Sequence, residues 1–121
     1  MRGLSALYIL KRMMAVANER TELPLKPCDY FDLIGGTSTG GIIAIMLGRL
    51  KMDVDECIDV YLELVDRIFS KIHTLTVSLM GKTKERYSSS ELESAIEQIL
   101  QKKGLSSHTL LKDDDPHASK V

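Results

Sequence analysis

Apolar residues at Leu4, Leu7, Leu10, Met14 and Ala17 recur in steps of three and four, the spacing that lines one side of a helix. A helix is therefore expected from Leu4 to Arg20. The stretch TELPLKP that follows carries two prolines and cannot continue it, so it is read as a connection into a short, mostly apolar strand at about Tyr30 to Ile34. Beyond a run of glycines, GGIIAIMLGRL is apolar on almost every side, which suits a helix buried in a domain interior.

Asp53, with Glu56 three residues on, has the form of a helix start in which each side chain bonds the other's free backbone N–H. Val54, Cys57, Ile58, Tyr61, Leu62, Val65, Ile68 and Phe69 make its apolar face, and Asp55, Asp59, Glu63 and Asp66 fall on faces open to water. Those acids read as a solvated face rather than a metal site, because no histidine or cysteine joins them at ligand spacing. A further helix is expected at SSSELESAIEQILQKKG, with a serine cap, the stripe Leu92, Ala95, Ile96, Ile99 and Leu100, lysines in its last turn and Gly104 as its stop. The intervening HTLTVSLMGKTKERYSS alternates over Thr74 to Leu79 but has loop-like flanks, and is read as an irregular connection. The end, from residue 113 to 121, is a polar turn whose last residues begin another strand.

With 121 residues, 44% hydrophobic and 27% charged, the chain fits one domain, residues 1–121, with a real core. A net charge of −1 provides no overall field to recruit nucleic acid or an anionic membrane, so any such partner needs a local patch. Cys28 and Cys57 match no metal or redox spacing and are expected to be reduced, packed thiols, which points to the cytoplasm. No apolar run reaches the roughly 18 residues that span a bilayer. The start, with Arg2, an apolar run from Leu4 to Leu10 and Ala15 and Ala17 spaced as A-x-A, mimics a signal peptide, but Lys11 and Arg12 interrupt it. An amphipathic helix is the expected reading.

The chemistry concentrates in YFDLIGGTSTGGIIAIMLGRL, where Gly36, Thr37, Ser38, Thr39 and Gly40 spell G-x-S-x-G between a strand pattern and a helix pattern. In that context the serine is expected on a strained, sharp turn, with glycines at 35, 36, 40 and 41 leaving room for it. The helix behind it would aim N-terminal N–H groups, Thr39 first, at negative charge developing on a carbonyl oxygen. A phosphate-binding loop is the competing reading. It fails because Gly41 and Ile42 stand where Lys and Ser or Thr are needed, and no G-x-G-x-x-G fits these residues either. A glycine-rich turn without chemistry remains open on the motif alone.

MRGLSALYILKRM, then PCDYFDLIGGTSTGGIIAIMLGRL, then DECIDVYLELVDRIF together resemble the N-terminal part of a patatin-like phospholipase domain, most similar to fungal members. The resemblance implies a three-layer α/β/α fold and hydrolysis of lipid acyl esters by a Ser and Asp dyad without histidine. It implies no cofactor and no metal, a lipid substrate, and contact with membranes at their surface. Carried over, Ser38 is the nucleophile. Of the family's oxyanion loop, G-G-G-x-R/K-G, Arg2 and Gly3 remain, with Met1 at the variable position. The glycine run and the first core strand are expected to be missing, as is the family's Asp-Gly-Gly or Asp-Gly-Ala element, since no aspartate here precedes a glycine. A fragment of the domain, truncated at both ends, is the expectation.

A serine hydroxyl needs a base to accept its proton. Asp53, Asp55, Asp59 and Asp66 read as solubilising charges, Asp32 as structural, and Asp113, Asp114 and Asp115 as members of a tail too loose to hold geometry. His73, His108 and His117 fall in expected loops and read as surface residues. The chain is thus expected to be a weak acyl hydrolase or none. The alternative is a non-catalytic fragment that binds lipid or protein through exposed apolar faces; nucleotide binding is the weakest reading.

Overall fold

The stripe led by Leu7 and Met14 forms helix α1, Arg2–Asn18, and buries Gly3, Leu7 and Met14. The computed structural model describes residues 2–78 and 89–121, with side chains placed except at 69, 71–78 and 89–91. Just past α1 the chain is folded back by Asn18: its Oδ1 accepts from the Leu25 N–H at 2.9 Å and its Nδ2 donates to the Leu25 carbonyl at 3.2 Å.

Tyr30 was expected in a strand, yet it closes a single helical turn, α2, Pro27–Tyr30. Proline suits the first helical position, where no N–H is required. Asp29 supports the turn by accepting from the Lys26 N–H at 3.0 Å. Past α2 the backbone is extended at Phe31, φ −103 and ψ 135. The Lys120 N–H donates to Asp32 O at 2.7 Å and the Ile34 N–H to Lys120 O at 2.8 Å, a parallel bridge of Leu33 with Lys120. The last residues therefore do supply extended backbone alongside the segment that leads to the glycines. Among the described residues this bridge is all the strand pairing there is, so of the three expected layers they show helices and one bridged pair. A ladder needs consecutive paired residues, and Pro27 and Asp29 have committed the preceding four to a helical turn.

After the glycines, α3 covers Thr39–Ala44 and passes into a π-helical segment, Ile45–Arg49. Leu50 N–H reaches back five residues to Ile45 O at 3.0 Å, the widened turn that defines this geometry. Lys51, at φ 55, and the bond from Met52 N–H to Met46 O at 3.1 Å end it. Ile43, Ala44, Met46, Leu47 and Leu50 are all buried, as an all-round apolar helix should be. Each such large side chain contributes about 2 kcal/mol through removal from water.

Helix α4, Val54–Ser78, begins where expected, with Glu56 N–H donating to Asp53 Oδ1 at 2.8 Å. It runs on past Phe69, so His73 lies in a helix and not in a loop; of the expected irregular connection, residues 79–88 lie outside the described residues. Favourable side-chain spacing continues along it, and polar residues at 70, 71, 73 and 74 do not break a helix as Gly or Pro would. Two units divide the chain: residues 1–61 with 110–121, and residues 62–109. In the first, Val54, Cys57, Ile58 and Tyr61 are buried as expected. In the second, Leu64 is buried while Leu62 is 42% exposed, because a step of three from Tyr61 lands on Leu64 and Leu62 lies to one side.

Helix α5, Ser89–Lys102, buries Ala95 and Ile99. Gly104, at φ 70, turns the chain out, with Leu105 N–H on Leu100 O and Gly104 N–H on Gln101 O, both at 2.9 Å. This is the Schellman arrangement, in which a left-handed residue lets the last carbonyls find donors. Lys102 and Arg67 both pair with the carboxylate of Glu63, Arg67 at 3.1 Å. These contacts hold Glu63 below the usual carboxylate range, the Lys102 hydrogen bond most of all.

Candidate active site

Between the bridged segment and α3 the backbone turns at Ser38, which is exposed and has φ 56 and ψ −130. Such angles are strained for any residue with a Cβ. The turn is closed by Gly40 N–H on Thr37 O and Gly41 N–H on Ser38 O, both at 2.9 Å. Gly36 explains why these atoms can come so close. A Cβ there would lie 2.9 Å from the Gly41 nitrogen and nearer still to the Gly40 carbonyl. Nothing stands within 4 Å of a Cβ placed at Gly35 or Gly40, and one at Gly41 would meet the Gly36 carbonyl oxygen at 3.3 Å, so the steric need falls first on Gly36 and then on Gly41.

Thr37 and Thr39 are exposed beside Ser38. The Ser38 hydroxyl caps no backbone N–H, and among the described residues neither it nor the Thr39 N–H has a hydrogen-bond partner. An N–H in the first helical turn has no carbonyl behind it to bond. The site thus offers a hydroxyl and an amide on the solvent side of one turn.

Arg2 is exposed and Gly3 buried at the start of α1. α1 packs on α3, and a Cβ at Gly3 would meet Tyr61 Oη at 2.6 Å and Ile43 Cδ1 at 3.1 Å. Ile43 lies one helical turn from Thr39, so Gly3 is held against the helix that starts at Ser38. Met1 lies outside the described residues. The part played by Tyr61 has no signal in the sequence beyond its place on an apolar stripe.

Each acid weighed as a base has another engagement or stands in water. Asp53 accepts from Glu56 N–H, and Asp55 pairs with Lys11 at 2.7 Å, which raises the lysine pKa through that hydrogen bond and its charge. Asp115 accepts from His117 N–H at 2.9 Å, and Asp32, Asp59, Asp66 and Asp114 are exposed. Asp113 does not belong to a loose tail. It accepts from Asp115 N–H at 3.0 Å and faces Arg49 at 3.6 Å and Lys51 at 3.8 Å. The Asp115 N–H first, then the two cations, hold its carboxyl below the usual range. Arg49 also donates through Nε to Leu110 O at 2.9 Å, and Val121 packs on Gly48, where a Cβ would come within 2.5 Å of Val121 Cγ2. The terminal segment is thereby tied to the helix behind Ser38, by partners too distant in sequence for any local pattern to announce.

His108 and His117 are exposed. Cys57 is buried, which pushes its thiol up to about 12, while burial also raises half-buried Cys28. Neither is an activated thiolate. Among the described residues no three His, Cys, Asp or Glu side chains gather to hold a metal ion, and no helix is long and apolar enough to cross a membrane.

The patatin-like phospholipase family model matches residues 1–114. The chain is 40% identical to calcium-independent phospholipase A2-gamma from Homo sapiens, over 58% of its own length and 8% of that protein. It is 37% identical to phospholipase A I from Arabidopsis thaliana, over 59% of its length and 5% of the relative. Patatin-like protein 2 from the same plant is 45% identical over 37% of this chain and 12% of its own. The chain thus spans a small fraction of the curated relatives it matches. No solved structure matches it.

Proposed function

This chain belongs to the patatin-like phospholipase family, and from that premise we propose that Ser38 is the nucleophile of a lipid acyl hydrolase site. The observation that carries the reading is the strained φ of 56 at an exposed serine, set between bridged backbone and a helix start. A fold does not keep a costly conformation at a position with a free choice of residue unless something else requires it. In this reading Ser38 Oγ attacks the ester carbonyl to form an acyl-enzyme, amides of Thr39 and the Gly3 segment hold the oxyanion, and water then releases the fatty acid.

The three-layer α/β/α domain of the family is part of the same proposal. Its support here is the parallel pairing of Leu33 with Lys120 ahead of the turn. The base of a Ser and Asp dyad is not assigned to any aspartate of residues 1–121, because none bonds Ser38 among the described residues. Without a base the serine is poorly activated, and oxyanion stabilisation alone supports slow turnover. Two measurements test this. Purified residues 1–121 are expected to react slowly with a fluorophosphonate at Ser38 and to hydrolyse a p-nitrophenyl ester at a rate near background. Ser38→Ala should remove the labelling. Absence of labelling in the parent chain would falsify the nucleophile assignment, and rapid ester turnover lost in Ser38→Ala would overturn the impaired-site reading.

A further inference from the structure

Helix α1 carries two apolar stripes, and only one is used. Leu7 and Met14 face the interior, whereas Ile9, Met13 and Val16 are 63%, 53% and 51% exposed. Their spacing of four and three puts them on one side of the helix, opposite the buried stripe. Arg2, seven residues before Ile9, and Arg12, four before Val16, fall on the same side and are exposed. Neither has an ion pair among the described residues, in contrast to neighbouring Lys11, which is engaged by Asp55. The acid nearest this face in sequence, Glu19, lies past the helix end.

We propose that this face of α1, Ile9, Met13 and Val16 with Arg2 and Arg12, docks on the surface of an anionic phospholipid bilayer. Charge decides the occupant. A helix lying in the interface buries its apolar side chains at the acyl boundary while adjoining arginines meet lipid phosphates. A second copy of the chain would place like charges against each other across a two-fold interface, and a free phosphate would leave the apolar stripe uncovered. The inference rests on the lipid hydrolase reading for its choice of ligand, and it adds to that reading a surface by which the chain reaches its substrate.

Cosedimentation of residues 1–121 with vesicles of phosphatidylcholine, with or without phosphatidylglycerol, tests it. Binding is expected to the mixed vesicles and to weaken with salt. Arg2→Gln with Arg12→Gln should lower affinity roughly 30-fold, from about 1 kcal/mol per basic residue at such a surface. Ile9→Ser with Val16→Ser should lower it to a similar extent. All four positions are exposed, and circular dichroism checks that each pair folds. Equal binding by parent and both double variants, no binding to either vesicle, or a dimer lost in the Ile9→Ser pair would overturn the proposal. Ser38→Ala should bind vesicles as the parent does. Labelling of Ser38 without vesicle binding sinks this inference alone; vesicle binding without labelling sinks the hydrolase reading alone.

Discussion

Replacing Gly36 by alanine should unmake the turn that presents Ser38. The added methyl would sit 2.9 Å from the Gly41 nitrogen and closer to the Gly40 carbonyl, where ordinary contact begins at 3.4 Å. These neighbours are backbone atoms held by the bonds from Gly40 N–H to Thr37 O and Gly41 N–H to Ser38 O, so no rotamer change can relieve the overlap. Overpacking against side chains costs about 1–3 kcal/mol; against fixed backbone, with two turn bonds strained as well, about 3 kcal/mol or more is expected. Gly40→Ala is the matched control. No atom lies within 4 Å of its Cβ, and in the first turn of α3 alanine should stabilise by up to about 1 kcal/mol. Urea unfolding followed by circular dichroism gives the two stabilities, and fluorophosphonate labelling reports on Ser38. Gly36→Ala should lower the midpoint and abolish labelling, with Gly40→Ala equal to or above the parent in stability. If both alanines behave alike, steric crowding at position 36 is not what shapes the turn.

Ser38→Gly should raise stability by about 1 kcal/mol, since glycine adopts φ 56 freely, while removing probe labelling; an unchanged urea midpoint would show that the conformation carries no strain. Gly48→Ala should loosen the terminal segment by driving a methyl to within 2.5 Å of Val121 Cγ2, and Val121→Ala in the same chain should restore stability, as read by thermal unfolding. For Asp113, whose folded carboxyl is held below its unfolded range, the unfolded chain binds more protons, so its contribution is full above pH of about 4 and disappears as pH falls through the folded value. Asp113→Asn should flatten the acid side of the stability profile, and an unaltered profile would exclude the contribution. Cys57, buried with its thiol pushed up to about 12, should resist iodoacetamide until denaturant is added, whereas prompt alkylation in buffer would contradict its packing.

Much of the local structure was legible because local spacing causes it. Steps of three and four at Leu7 and Met14, the Asp53 cap, and Gly104 after the last turn of α5 each act within a few residues, and the helices stand where those signals put them. Tyr30 departs from the expected strand for the same kind of reason: Pro27 at the first helical position and Asp29 on the Lys26 N–H are local helix-start features. His73 was misplaced because ambivalent residues continue a helix already nucleated upstream. Of the site, the serine and the glycines around it are written in one short stretch of the chain, while the family resemblance rests on three stretches in order.

Tertiary structure alone decided the rest. That Asp113 answers Arg49 and Lys51, that Lys120 pairs with Leu33, that Val121 fills the space over Gly48, and that Tyr61 closes on Gly3 all join residues dozens of positions apart. Sequence spacing sets which way a side chain leaves its own helix or strand. Which partner it meets depends on how the elements pack, and that is fixed by the burial of every apolar face together rather than by any one segment.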